Sequence, residues 1–255
     1  MSIKSSYLAY DFRGEKLPSV LPLFPVDGIT LFPKNQLPLP IVSSEHFSIV
    51  SSVLATHRLM GIVQPLEDMT SRDDRFFSFG TAGKIIDIQQ TDEGNLYATV
   101  LGVCRFDVKE VFSEKKDEET LISKELTPSL SLLEKVFSKK KIEKRDDIQK
   151  WFAHVDYASF EHDLAVDVDF SVNRGVLLTE ARNYLSRLHI PAFLNEIDEV
   201  SDDYLITMLA SVCPFSVGEK QALLKASTLS LQAKMIIDFF KMSQHSHALN
   251  EVIYH

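Results

Sequence analysis

Residues 21–41 read LPLFPVDGITLFPKNQLPLPI, and this stretch decides the fold. Prolines recur through a segment whose other residues are mostly those that build strands. Proline carries no ladder N–H, so a central strand holds few of them, whereas short edge strands that bend at corners hold them readily. Pro22, Pro25, Pro33 and Pro38 therefore predict strands of about three to five residues in a small, strongly curved or barrel-like sheet. Six of the ten prolines fall between Pro18 and Pro40, while residues 129–190 contain none, so the chain changes character between its halves.

Strand signals continue outward from that segment. LMGIV (59–63), KIIDI (84–88), LYATVLG (96–102) and CRFDVKEVF (104–112) are short, rich in β-branched or aromatic residues and bounded by turn residues. Cys104, Phe106 and Val108 alternate with Arg105, Asp107 and Lys109, which predicts one inward face and one face toward water. TDEGN (91–95) lies between two such runs, with Gly94 free to take a positive φ, and reads as a hairpin loop. One helix interrupts the strands: Ser43 or Ser44 caps it, and Phe47, Val50 and Leu54 share a face. SEKKDEET (113–120) reads as a charged loop and TLISKEL (120–126) as the last strand of this half.

After Thr127-Pro128 the apolar period becomes helical. Leu177, Ala181, Tyr184, Leu185 and Leu188 form one stripe. Leu205, Met208, Leu209 and Val212 form a second, capped by Ser201 with Asp202 and Asp203 at the positive helix end. Ser216 and Glu219 have capping-box spacing, and Leu229, Ala233, Ile236, Ile237 and Phe240 make the final stripe. The expected class is α+β: a curved, barrel-type β unit followed by a helical bundle. The expected boundaries are an N-terminal extension over 1–16, the β-rich unit over 17–126 and the helical unit over 127–255. Residues 134–170 resist assignment and read as an insertion.

Composition places the chain among ordinary folded proteins, with 45% hydrophobic and 25% charged residues. Two cysteines 109 positions apart, Cys104 and Cys213, form no disulfide framework or metal knuckle and predict a reducing compartment. The N-terminus lacks a signal-peptide h-region, and apolar runs such as LITMLASVC fall far short of the roughly 20 residues of a membrane span. Together these predict a cytoplasmic protein without a membrane partner. A net charge of −9 argues against a dedicated nucleic-acid binder.

The proline-rich segment resembles the start of the N-terminal, substrate-binding domain of the ATP-dependent Lon proteases. Three further stretches match that family in order: FGTAGKIIDI (79–88), GVCRF (102–106) and LASVCPFSVGEKQALLKAS (209–227). The resemblance spans roughly residues 17–242, with a gap at about 128–175. It implies a PUA-like β-rich front, a helical bundle behind, and recognition of unfolded or extended polypeptide rather than chemistry, as by an adaptor. The alternative is that a PUA-like protein serves RNA. In one place the sequence departs from the family: where LPLPI usually continues Phe-Glu-Pro-Arg-Tyr, Val42, Ser43, Ser44, Glu45 and His46 follow, so contacts of that acid, arginine and tyrosine are not carried over.

The phosphate-binding pattern Gly-x4-Gly-Lys-Ser/Thr is absent; GTAGKI has the wrong spacing and no hydroxyl for magnesium. The expectation is a stand-alone bacterial member without ATPase or peptidase domains, non-enzymatic and without cofactor. HVDYASFEHDLAVDVD (154–169) gathers acids beside His154 and His162 but lacks the glycine and spacing of a calcium loop, so solvated acids are expected and no metal site. Cys104 and Cys213 read as buried structural thiols. Lys139, Lys140, Lys141, Lys144 and Arg145 are interrupted by acids and read as a solvated helix face. The candidate polypeptide contact is DRFFSFG (74–80), with Phe76, Phe77 and Phe79: alternation sends at least one of Phe76 and Phe77 away from the core face.

Overall fold

The computed structural model describes residues 17–66, 75–115, 149–164, 172–188 and 200–253. The chain divides into two compact units, Met1–Ala165 and Val166–His255. The expected boundary lies at 126/127, whereas these units divide between 165 and 166. Residues 149–156 complete the ladders of the sheet, and residues 158–164 pack against it.

In the first unit, β1 (Val20–Pro25), β2 (Gln36–Pro40), β3 (Leu59–Val63), β4 (Phe79–Gln90), β5 (Leu96–Lys115) and β6 (Gln149–Asp156) form one curved sheet in the order β2-β5-β4-β3-β1-β6. The β1–β3 ladder is parallel, pairing Leu23 with Gly61, and the others are antiparallel. β5 is long enough to serve twice: its first part pairs with β4 and β2, and its last part, Asp107–Lys115, pairs with β6. The sheet therefore curls until β6 touches both β1 and β5, and among the described residues β2 remains an edge. The hairpin read from TDEGN joins β4 to β5, with Gly94 at φ 82° and its N–H donating to the Thr91 carbonyl at 2.8 Å. TLISKEL lies outside the described residues.

Helix α1 (Ser44–Leu54) is capped by Ser43, whose hydroxyl accepts from the His46 N–H at 3.1 Å. Its Ile49, Val50, Val53 and Leu54 are buried with Phe24, Leu39, Met60, Ile62, Ile85 and Val100 in one core cluster. A second cluster holds Leu21, Leu23, Leu59, Val63, Ala82, Cys104, Phe106, Ala153, Val155 and Phe160. Each Leu, Val, Ile, Phe or Met among them contributes roughly 1.5–3 kcal/mol when fully buried. The proline-rich segment crosses β5 where Gly102 lies: the Lys34 N–H donates to the Gly102 carbonyl and the Gly102 N–H to the Asn35 carbonyl, both at 2.9 Å. A Cβ on residue 102 would stand 2.2 Å from the Phe32 carbonyl oxygen, so only glycine permits this approach.

The second unit contains α2 (Arg174–Arg187), α3 (Asp202–Val212), α4 (Val217–Lys225) and α5 (Leu229–Ile253). Leu177, Ala181, Tyr184, Leu185, Leu205, Leu209, Leu229, Ala233, Ile236 and Phe240 are buried, as the helical periods predict. Leu188 and Val212, at the ends of their stripes, are instead exposed. Tyr184, Phe215 and Phe240 pack against one another with centroids 4.6–6.1 Å apart. The Ser216–Glu219 capping box is formed in both directions. Ser201 occupies its cap position without a side-chain cap bond, and Asp202 pairs with Arg174.

Candidate functional site

The aromatic segment leads into β4, whose first residue is Phe79. The Phe77 N–H donates to the Gln64 carbonyl at 3.1 Å, the Leu66 N–H donates to the Arg75 carbonyl at 2.9 Å, and Pro65 bridges to Phe76. These bonds fix which way each ring points. Phe76 packs on the second core cluster and meets Trp151 edge-on at 6.2 Å; Phe79 packs there too, edge-on to Phe160 at 6.2 Å. Phe77 belongs to neither cluster, so it is the ring that alternation turns away from the core. The Arg75 guanidinium lies 4.5 Å from the centre of the Trp151 ring. Arg75, Phe76, Phe77, Phe79 and Trp151 are all half-buried.

β6 brings a second aromatic group that the sequence reading missed. Trp151, Ala153 and Val155 face the second core, whereas Phe152 and His154 alternate to the other face. Phe152 is paired across the strands with Pro22 of β1 and Phe112 of β5. The rings of Phe112 and Phe152 stack at 5.8 Å and 17°, and the exposed His154 lies 5.4 Å from Phe112. Neither phenylalanine belongs to the two core clusters, and both are only half-buried. Offset-stacked rings on an outward sheet face form an apolar platform that can receive aliphatic or aromatic side chains. The alternation in QKWFAHVD (149–156) carried this signal. Lysine, histidine and aspartate on the outward positions hid it.

The motif arginine is not where alternation puts it. Arg105 is 1% exposed, and the expectation that it faces water is corrected. A 3-10 turn, Ala158–Leu164, covers that face of β5 and brings Asp163 to it. Asp163 accepts from Arg105 Nε at 2.9 Å, from Nη2 at 2.8 Å and from the Arg105 backbone N–H at 3.0 Å. The guanidinium also lies over the Phe160 ring at 4.6 Å, and its Nη2 sits 2.9 Å from His162 Nε2. Burial holds the His162 pKa below its ordinary value; Arg105 lowers it further and Asp163 opposes. Asp163, His162 and Arg105 therefore form a structural ion pair with an attendant imidazole. Asp156 likewise accepts from the Ala158 N–H at 3.0 Å and pairs with Lys109.

Among the described residues no group of three His, Cys, Asp or Glu side chains is placed to hold a metal, and Asp167 and Asp169 lie outside them. Burial raises both thiols, Cys213 to about 12, which leaves them protonated and poor nucleophiles. No helix of the described residues is long and apolar enough to cross a membrane. The basic run 139–145 lies outside the described residues.

Similarities to known proteins agree with this geometry. The Lon protease of Cytophaga hutchinsonii is 30% identical over 122 residues, 46% of this chain and 15% of that protein. The Lon protease of Anaeromyxobacter dehalogenans is 21% identical over 245 residues, 94% of this chain and 25% of that protein. The chain thus spans a quarter or less of these curated relatives. Two solved structures share the fold. A Lon N-terminal domain protein from Xanthomonas campestris has TM-score 0.53 and 17% identity, with 86% of this chain and 97% of that one covered. The N-terminal domain of a Mycobacterium avium complex Lon protease has TM-score 0.55 and 14% identity, covering 87% and 98%. The family model of the ATP-dependent protease La (LON) substrate-binding domain matches residues 20–241, most of the chain, and the chain belongs to that family.

Proposed function

We propose that this chain recognises unfolded or extended polypeptide in the cytoplasm without making or breaking bonds in it, acting as a substrate-recognition factor or adaptor. The observation that carries this reading is the family match over residues 20–241, to a domain described as substrate-binding. Two surfaces of the first unit supply the chemistry: the Phe112–Phe152 platform beside His154, and Phe77 with the Arg75–Trp151 stack. Half-exposed rings give sequence-tolerant grip, since any aliphatic or aromatic side chain gains by leaving water against them.

The test is titration of a labelled, permanently unfolded protein into the wild-type chain and into Phe112→Ser/Phe152→Ser and Phe77→Ala. Wild type saturates, and the double variant binds about tenfold or more weakly, equivalent to about 1.4 kcal/mol per factor of ten. Binding is nearly flat in salt. No saturable binding, or equal binding by all three proteins, removes the reading. Saturable binding of structured RNA that collapses as salt rises replaces it with the nucleic-acid alternative.

A further inference from the structure

β2 is the edge of the sheet, and among the described residues its only ladder partner is β5. Bonds at its two ends fix the direction of its polar groups. The Gly102 N–H donates to the Asn35 carbonyl and the Ile41 N–H donates to the Leu96 carbonyl, each at 2.9 Å. Backbone groups alternate in direction along a strand, so Leu37 and Leu39 also turn toward β5. Gln36, Pro38 and Pro40 then turn toward the free edge. Their side chains are exposed, while Leu39 is fully buried.

Two of the three edge-facing positions thus have no N–H to offer. A chain approaching this edge finds carbonyl acceptors at 36 and 38, that of Pro40 already accepting from the His46 imidazole, and a single donor, that of Gln36. The nearest available strand in any solution of this protein is β2 of a second copy. A twofold β2–β2 ladder would pair position 38 with 38 and 36 with 40, and the prolines delete four of its six donors. Proline in the other phase, at 37 or 39, would instead have removed donors to β5.

From this phase we infer that Pro38 and Pro40 guard the free edge of β2 against strand-to-strand pairing with a second copy of this chain. The same geometry keeps extended polypeptides from adding to the sheet there, leaving recognition to side-chain surfaces. This inference does not depend on the proposed polypeptide binding.

The experiment compares wild type with Pro38→Thr/Pro40→Thr by sedimentation velocity over a hundredfold concentration range. Circular dichroism confirms the native fold. Threonine restores both donors and favours strands. The double variant is expected to self-associate at least tenfold lower in concentration than wild type. Pro40→Thr alone, with its register held by Ile41, falls between and keeps the test valid should the double variant not fold. Pro38→Lys/Pro40→Lys restores the same donors with like charges on the exposed face, so it stays dispersed at low salt and associates at high salt. Threonine variants that keep the fold yet sediment as wild type at every concentration overturn the inference. So does a lysine variant that associates at low salt as strongly as the threonine one.

Discussion

A single carboxylate, Asp163, satisfies three donors of Arg105: Nε, Nη2 and the backbone N–H. With side chains 1% and 5% exposed, the pair sits where removing one partner leaves the other charge without compensation. Asp163→Asn keeps the shape but not the charge, and is expected to cost about 3–5 kcal/mol in urea unfolding. Arg105→Met/Asp163→Leu, which removes both charges, is expected to cost far less. The same cluster makes stability depend on pH. Arginine only donates, so His162 Nε2 must accept and the ring must be neutral. Its pKa in the folded chain is lowered, whereas in the unfolded chain it is near 6.5. The unfolded state therefore takes up the proton first as pH falls, and stability is present above 6.5 and is lost from there downward. His46 is lowered by burial as well, so the decisive measurement is a comparison. Between pH 7.5 and 5.5, wild type loses more stability than His162→Gln.

At the scale of elements, the most demanding junction is the crossing of the 31–35 segment over β5. Gly102→Ala would drive a methyl group against the Phe32 carbonyl and strain two backbone hydrogen bonds. A loss on the order of 2–4 kcal/mol is expected by calorimetry or urea titration. Ser216→Ala, which opens the capping box of α4, is expected to cost about 1 kcal/mol. These elements differ in how visible they are in the sequence. The α4 cap, the α1 cap and the 91–95 hairpin are legible because each is made by residues within about four positions of one another. Gly102 is visible as a glycine within a strand run, but the segment it admits lies some 70 residues earlier in the chain. The burial of Arg105 was not legible at all. Its strand alternates correctly, but the face that alternation assigns to water is covered by a 3-10 turn that starts 53 positions later. Phe112 stayed hidden because the register shift between Val108 and Glu110 moves it off the inward phase of Phe106, and Phe152 because lysine, histidine and aspartate share its face.

At the scale of the whole molecule, the two halves were legible from the shift between strand and helix periods, and the position of the boundary was not. The missing part was β6, whose identity depends on ladders to β1 and β5 across a long intervening segment. That dependence gives the boundary energetic consequences. A fragment ending at residue 126 would lack both ladders, the Ala153, Val155 and Phe160 side chains of the second core, and the Asp163 partner of Arg105. Val155 and Phe160 at roughly 1.5–3 kcal/mol each and Ala153 at about 0.8 kcal/mol, with about 3–5 kcal/mol for the uncompensated arginine, match much of the 5–15 kcal/mol that holds a domain folded. A fragment ending at 165 keeps both core clusters entire. Residues 1–165 expressed alone are therefore expected to unfold in one cooperative urea transition, while residues 1–126 show no transition at all. The division at Ala165 fails if the shorter fragment unfolds cooperatively, or if the longer one does not, because either result would mean that β6 is not what completes the sheet.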